Sequence, residues 1–199
     1  ETAVICDAVA TPLKIIKKAR ISSFDKVGVI GAGGGLGIHM LKMLKLNNIS
    51  AIGIDTKTEK FNTCNENGAE FSVSPMENDL KNKIADYSKS HDLDVVIDFV
   101  SSKSSLELGC SILGKGGRLV TLGGSGEQFL SNSADMLVKE LELIGSRYCT
   151  KQELKESLDL YARGLIEPLV SVKTDFEGAE GLHDKIEKGE ITGRAGILI

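Results

Sequence analysis

Apolar residues come along this chain in short blocks, separated by stretches where they recur every three or four positions. The blocks are residues 27–30, 51–54, 71–73, 95–99 and 119–122. Each has the length of a strand, and a near-continuous run such as DVVIDFV suits a strand buried on both faces. Between the blocks lie stripes at helical spacing: Leu36, Met40, Met43 and Leu44, then Phe61 and Cys64. Leu80, Ile84 and Tyr87 mark a third, and Leu106, Cys110 and Leu113 a fourth, ending at Gly114. The gaps leave room for one crossover helix each. Right-handed crossovers then predict a doubly wound parallel β-sheet, an α/β fold.

The pattern extends to both ends. Residues 7–20 predict a helix, with Thr11 as N-cap and Pro12 in the first turn. Leu13, Ile16, Ala19 and the stem of Arg20 would face inward. In the last third, residues 134–139 predict a short helix and 141–145 a sixth strand. Thr150 and Glu153 read as a capping box for a helix over 151–163, stopped by Gly164. Residues 170–173 read as a short strand. Residues 177–188 read as a helix with Leu182 and Ile186 inward, and 193–199 as a final strand.

Between the first block and the first stripe sits a glycine cluster: Gly31, Gly33, Gly34, Gly35 and Gly37. Backbone N–H groups at a helix start are unpaired and carry partial positive charge. A side chain in such a turn would hold a diphosphate away from them, so glycines belong there. The strict G-x-G-x-x-G spacing fails, because Leu36 falls where its third glycine would be. Gly31, Gly34 and Gly37 fit a turn one residue longer. Asp55 lies 18 residues past Gly37, at the end of the second strand. That is close to the roughly 20-residue offset of a ribose-binding acid. Its carboxylate accepts from ribose hydroxyls and repels a 2′-phosphate. Lys57 and Lys60 are near, but neither is an arginine placed for that phosphate. NAD(H) is therefore expected over NADP(H).

Composition narrows the class. The chain has 199 residues, 41% hydrophobic and 26% charged, with a net charge of −4. This is ordinary globular composition, and the charge argues against a nucleic-acid surface. No apolar run approaches the roughly 18 residues of a membrane span, and no signal peptide is seen. Cys6, Cys64, Cys110 and Cys149 form no C-x-x-C pair, so reduced, mostly buried thiols of a cytoplasmic protein are expected. His39, His91 and His183 show no metal spacing and read as surface residues. The chain begins at Glu1 with no methionine, which suggests a piece of a longer protein.

Several segments together resemble the cofactor domain of the medium-chain, zinc-type alcohol dehydrogenases. They are DAVATP, VIGAGGGLG, GID with Lys60 five residues beyond Asp55, VIDFVSS, GKGGRLVTLG, KELELIGS and GEITGRAGILI. The resemblance implies a Rossmann domain at residues 26–175. Residues 1–25 would be the junction with a catalytic domain, and 176–199 would return toward it. It also implies roles. Gly34, Gly35, Leu36 and Gly37 would cradle the pyrophosphate, with Gly31 opening the turn. Asp55 and Lys60 would hold the adenosine ribose. Phe99, Val100 and Ser101 would wall the adenine site. Leu122 and Gly123 would lie beside the carboxamide, Thr11 would pack on the nicotinamide, and Arg194 would reach the pyrophosphate. Asp7 matches a ligand of the catalytic zinc, a place where carboxylate oxygen is chemically adequate. Val9 and Leu13 depart from the family's usual glycine and tyrosine. No catalytic residue is implied within the chain.

The implied parent moves hydride between an alcohol or carbonyl substrate and NAD, with zinc, as a homodimer or homotetramer. Other readings stay open: a zinc-free quinone or enoyl reductase, a non-catalytic NAD(H)-binding module, and a methyltransferase, against which the C-terminal segments argue.

Overall fold

The computed structural model describes residues 2–89 and 92–198. His91, Glu1 and the last residue of the expected final strand, Ile199, lie outside them. Six strands form one sheet: β1 (Lys26–Ile30), β2 (Ser50–Ile54), β3 (Ser72–Val73), β4 (Leu93–Asp98), β5 (Leu113–Thr121) and β6 (Glu142–Gly145). Their order is β3-β2-β1-β4-β5-β6 and every pairing is parallel. This is the doubly wound order of the Rossmann fold, reversing between β1 and β4.

The helices between the strands are α2 (Gly37–Leu46), α3 (Phe61–Glu66), α4 (Leu80–Ser88), α5 (Lys103–Ser111) and α6 (Ser133–Lys139). One apolar cluster packs Val27, Val29, Val95 and Ile97 against Ile38 and Leu41 of α2. A second packs Ile52, Ile54 and Val96 against Ile84 of α4 and Leu106 of α5. Strands β1, β2 and β4 are thus covered on both faces. Gly28 in β1 leaves room for this layer, since an added Cβ would lie 2.7 Å from Leu93 Cδ1.

The N-terminal helix starts earlier than the Thr11-Pro12 pair predicts. A wide π-helical turn, Ile5–Val9, runs directly into α1 (Ala10–Lys18). Thr11 is therefore inside a continuous helix and is no N-cap. Its hydroxyl donates to Asp7 Oδ1 at 3.1 Å. The wide turn stands just before Pro12, whose ring and missing N–H an ordinary turn accommodates badly. Arg20 is exposed, not packed inward.

β5 begins at Leu113, ahead of the expected block, because Leu113 pairs with Leu93 before the register shifts to Val95 and Arg118. Further on, α7 (Lys151–Ala162) carries the expected Thr150–Glu153 capping box in both directions. Among the described residues β7 (Val170–Thr174) pairs only with β8 (Arg194–Ile197), in a separate two-stranded parallel sheet. In α8 (Ala179–Glu187), Leu182 is buried but Ile186 is half exposed, against expectation. Cys64 is the buried thiol; Cys110 and Cys149 are partly exposed and Cys6 is exposed, so the thiols are not mostly buried.

Candidate functional site

A cavity of about 700 Å³ opens at the C-terminal ends of the strands, between β1 and β4, where the strand order reverses. That is where ligands enter open α/β sheets. Its floor is the glycine turn, residues 31–37. Gly31 has φ +76°, a backbone setting that disfavours side chains, and its N–H bonds Ile54 O at 2.9 Å. Gly37 has the tightest setting of the glycines in this turn. A Cβ there would lie 2.1 Å from Gly31 O and 2.6 Å from Ala32 O. Among the described residues no side chain caps the start of α2; Ile38 N–H bonds Gly34 O at 3.1 Å, and Gly35, Leu36 and Gly37 at the helix start line the cavity.

Asp55 follows β2 beside this turn. Its Oδ2 accepts the Gly33 N–H at 2.8 Å and its Oδ1 accepts the Lys57 N–H at 3.0 Å. The carboxylate is thus held in one orientation at the cavity edge. Lys60 also lines the cavity but is nearly buried, and its Nζ donates to Ile191 O at 2.7 Å. Its stem lies against Gly33, where a Cβ would come within 2.5 Å of Cδ.

Arg194, on β8, closes the other side. An added Cβ at Gly35 would sit 2.8 Å from its Cδ and Nε, so the side chain lies across the turn. Its Nη2 pairs with Asp7 Oδ2, 187 residues away in sequence. Its Nε is buried with no hydrogen-bond partner among the described residues. An unpaired guanidinium N–H over a glycine turn is a donor waiting for an anion.

Phe99 and Val100 form the wall at the end of β4, with Val100 half exposed. Their backbone is shaped by Asp98, which is fully buried. Asp98 Oδ1 accepts the N–H groups of Val100 and Ser101 at 2.8 and 2.9 Å, and Oδ2 accepts the Ser105 hydroxyl at 2.7 Å.

The structure brings eleven of the fifteen expected residues to the cavity: Asp7, Gly31, Gly34, Gly35, Leu36, Gly37, Asp55, Lys60, Phe99, Val100 and Arg194. Thr11, Ser101, Leu122 and Gly123 do not line it. Thr11 is buried beneath Asp7. Ser101 is buried and ties two loops together, its hydroxyl accepting the Gly123 N–H at 2.8 Å.

Two contributors escaped the sequence reading, and Gly33, read only as one of the glycine cluster, has a role of its own. Gly33 presents its N–H to Asp55. Asp98 could have been found as a lone acid inside an apolar strand block. His39 is fully buried, which corrects the expected surface position. Its Nδ1 lies 2.7 Å from Gly35 O, and its Nε2 accepts the Leu169 N–H at 3.0 Å. Burial pushes its pKa down to about 4, the Gly35 carbonyl opposing and the Arg194 and Lys42 charges assisting.

Residues 35–163 match the family of zinc-binding dehydrogenases. The chain belongs to that family. Curated relatives and solved structures extend the likeness beyond the matched segment. The NAD-dependent alcohol dehydrogenase of Sulfurisphaera tokodaii is 26% identical over 190 residues, 95% of this chain and 54% of that one. The acryloyl-coenzyme A reductase of Metallosphaera sedula is 28% identical over 182 residues, 88% of this chain and 52% of that one. The crystal structure of the alcohol dehydrogenase from the archaeon Aeropyrum pernix superposes with a TM-score of 0.89 at 27% identity, covering 98% and 56%. The chain spans about half the length of the curated relatives it matches.

Proposed function

We propose that the cavity binds NAD(H) and that the chain is the cofactor domain of a medium-chain alcohol dehydrogenase. The observation that carries this is Asp55, locked by two backbone amides at the edge of the glycine turn. The residues present fit the cofactor. A Cβ at Gly33 would press on Lys60 and one at Gly35 on Arg194, the two cations that line the cavity, and Arg194 Nε has no partner among the described residues. Bound NAD(H) supplies the hydride acceptor or donor. The chain's own groups bind and orient it. The α2 amides and Arg194 take the diphosphate, Asp55 takes the ribose hydroxyls, and Phe99 and Val100 flank the adenine.

The residues present do not by themselves fit a zinc ion. Among the described residues no three His, Cys, Asp or Glu side chains converge on a metal position. Asp7 is engaged by Arg194. On this reading Asp7 is one ligand among several, the others lying outside these residues. The whole protein would act on a small alcohol or carbonyl substrate. It would be cytoplasmic and would assemble as a homodimer or homotetramer, with β6 as an open sheet edge. Among the described residues no helix is long and apolar enough to cross a membrane.

Calorimetric titration tests the cofactor. NADH is expected to bind, NADPH at least about tenfold more weakly because its phosphate meets the Asp55 charge, and S-adenosylmethionine not at all. Binding of S-adenosylmethionine without NADH would sink the reading. The similarity to an acryloyl-coenzyme A reductase favours a second one, a zinc-free enoyl reductase. Metal analysis of the full protein separates the two.

A further inference from the structure

His39 sits behind the glycine turn and does not line the cavity, yet both of its ring nitrogens are engaged, Nδ1 by Gly35 four residues back and Nε2 by Leu169, 130 residues on. A backbone N–H can only donate, so the Leu169 N–H fixes Nε2 as the lone-pair nitrogen. The proton is then on Nδ1, which donates to Gly35 O. From Leu169 the connection continues: its carbonyl accepts the Arg194 N–H at 2.9 Å. Arg194 returns over Gly35. Gly193 N–H adds a bond to Gly33 O at 3.2 Å. Turn, imidazole, Leu169 just ahead of β7, and β8 thus form a closed ring of contacts around the guanidinium.

We propose that His39 is a positioning residue for the anion site: its neutral imidazole joins Gly35 to Leu169, holding Arg194 over the turn. The proposal rests on the dinucleotide reading above. A purely structural histidine would support the fold and leave the diphosphate contribution alone. The ring predicts the reverse pattern, because Arg194 approaches its ligand from β8 and β8 is registered on Leu169.

Two substitutions divide the ring. In this chain Asn47 and Asn67 each donate to the carbonyl four residues back, at 2.7 Å. His39→Asn therefore keeps the bond to Gly35 and leaves the Leu169 N–H without its acceptor. His39→Gln carries an oxygen farther out, toward Leu169. The probes are ADP-ribose, which carries the diphosphate, and adenosine, which does not. H39N is expected to weaken ADP-ribose about tenfold, the loss of a well-placed charged hydrogen bond, and to leave adenosine unchanged. H39Q should recover most of that loss. In an Arg194→Gln background H39N should have no further effect. A wild-type measurement stands beside the variants should they misfold: ADP-ribose, and not adenosine, should slow hydrogen exchange at the Leu169 amide.

Undiminished ADP-ribose binding in H39N, an equal loss for adenosine, an equal loss in the Arg194→Gln background, or unchanged Leu169 exchange each overturns the proposal. Wild-type protein that binds no ADP-ribose overturns the dinucleotide reading as well.

Discussion

The two sides of the sheet treat apolar residues in opposite ways. In β1, β2 and β4 nearly every position is buried, and α2 buries seven of its ten residues, Gly37 to Leu41 with Met43 and Leu44. At the other edge α6 buries none, and every described position of β6 is partly or fully exposed. Leu130, Leu137 and Val138 are 84%, 78% and 71% exposed. The blocks KVGVI and ELIG look alike as strings, yet one is interior and the other an edge. What separates them is their neighbours. β1 lies between β2 and β4, while β6 pairs only with β5. The site is built where the chain is most constrained, so its geometry should be sensitive to substitutions that the far edge tolerates.

The largest effect is expected at Gly37. A methyl group there meets two backbone oxygens at 2.1 and 2.6 Å, and neither can step aside without moving β1 or α2. Gly37→Ala should cost about 4 kcal/mol or more in denaturant unfolding and abolish NADH binding. Gly35→Ala is the sharpening control. The neighbour at 2.8 Å is the side chain of Arg194 rather than backbone and can rotate aside, so stability should fall little while NADH affinity drops. Equal unfolding costs for the two would break the distinction between a steric turn and a ligand-facing one.

A smaller effect is expected from pH. His39 titrates near 4 when folded and near 6.5 when unfolded. Between those values the unfolded chain holds the extra proton, so lowering the pH favours unfolding. Above 6.5 the contribution is complete and flat. It falls by about 2 kcal/mol at pH 5 and about 3 kcal/mol at pH 4. Urea unfolding at pH 7.5, 6 and 5 reads the slope, and His39→Asn should flatten it. An unchanged slope in that variant would mean that carboxylates, not the buried imidazole, set the acid limit.

The same contrast explains what could be read in advance. The strand blocks, the crossovers and the Gly31–Gly34–Gly37 spacing were legible because burial on two faces and close backbone approach both restrict residue type. The Thr150–Glu153 capping box was legible because it is local. His39 was not, since periodicity finds a polar position on a helix and assigns it to solvent, whereas α2 has almost no solvent face. Thr11 resembled a cap because Thr-Pro is a good start signal, but the π turn before it carries the helix through. The Asp7–Arg194 pair was out of reach, because nothing local joins positions at opposite ends of a chain. Ile186 was placed inward by spacing alone, on a helix that covers little.

The smallest effect is the one that tests the comparison most directly. Leu137→Ala removes an apolar side chain of the size that costs about 2–5 kcal/mol in a core. At 78% exposure it has little burial to lose, and α6 packs no residue fully. The unfolding free energy of the isolated chain should therefore change by less than about 0.5 kcal/mol, and NADH affinity not at all. A loss of more than about 2 kcal/mol would show that α6 and β6 are buried in solution against another surface. The exposed edge would then be as constrained as the half that carries the site.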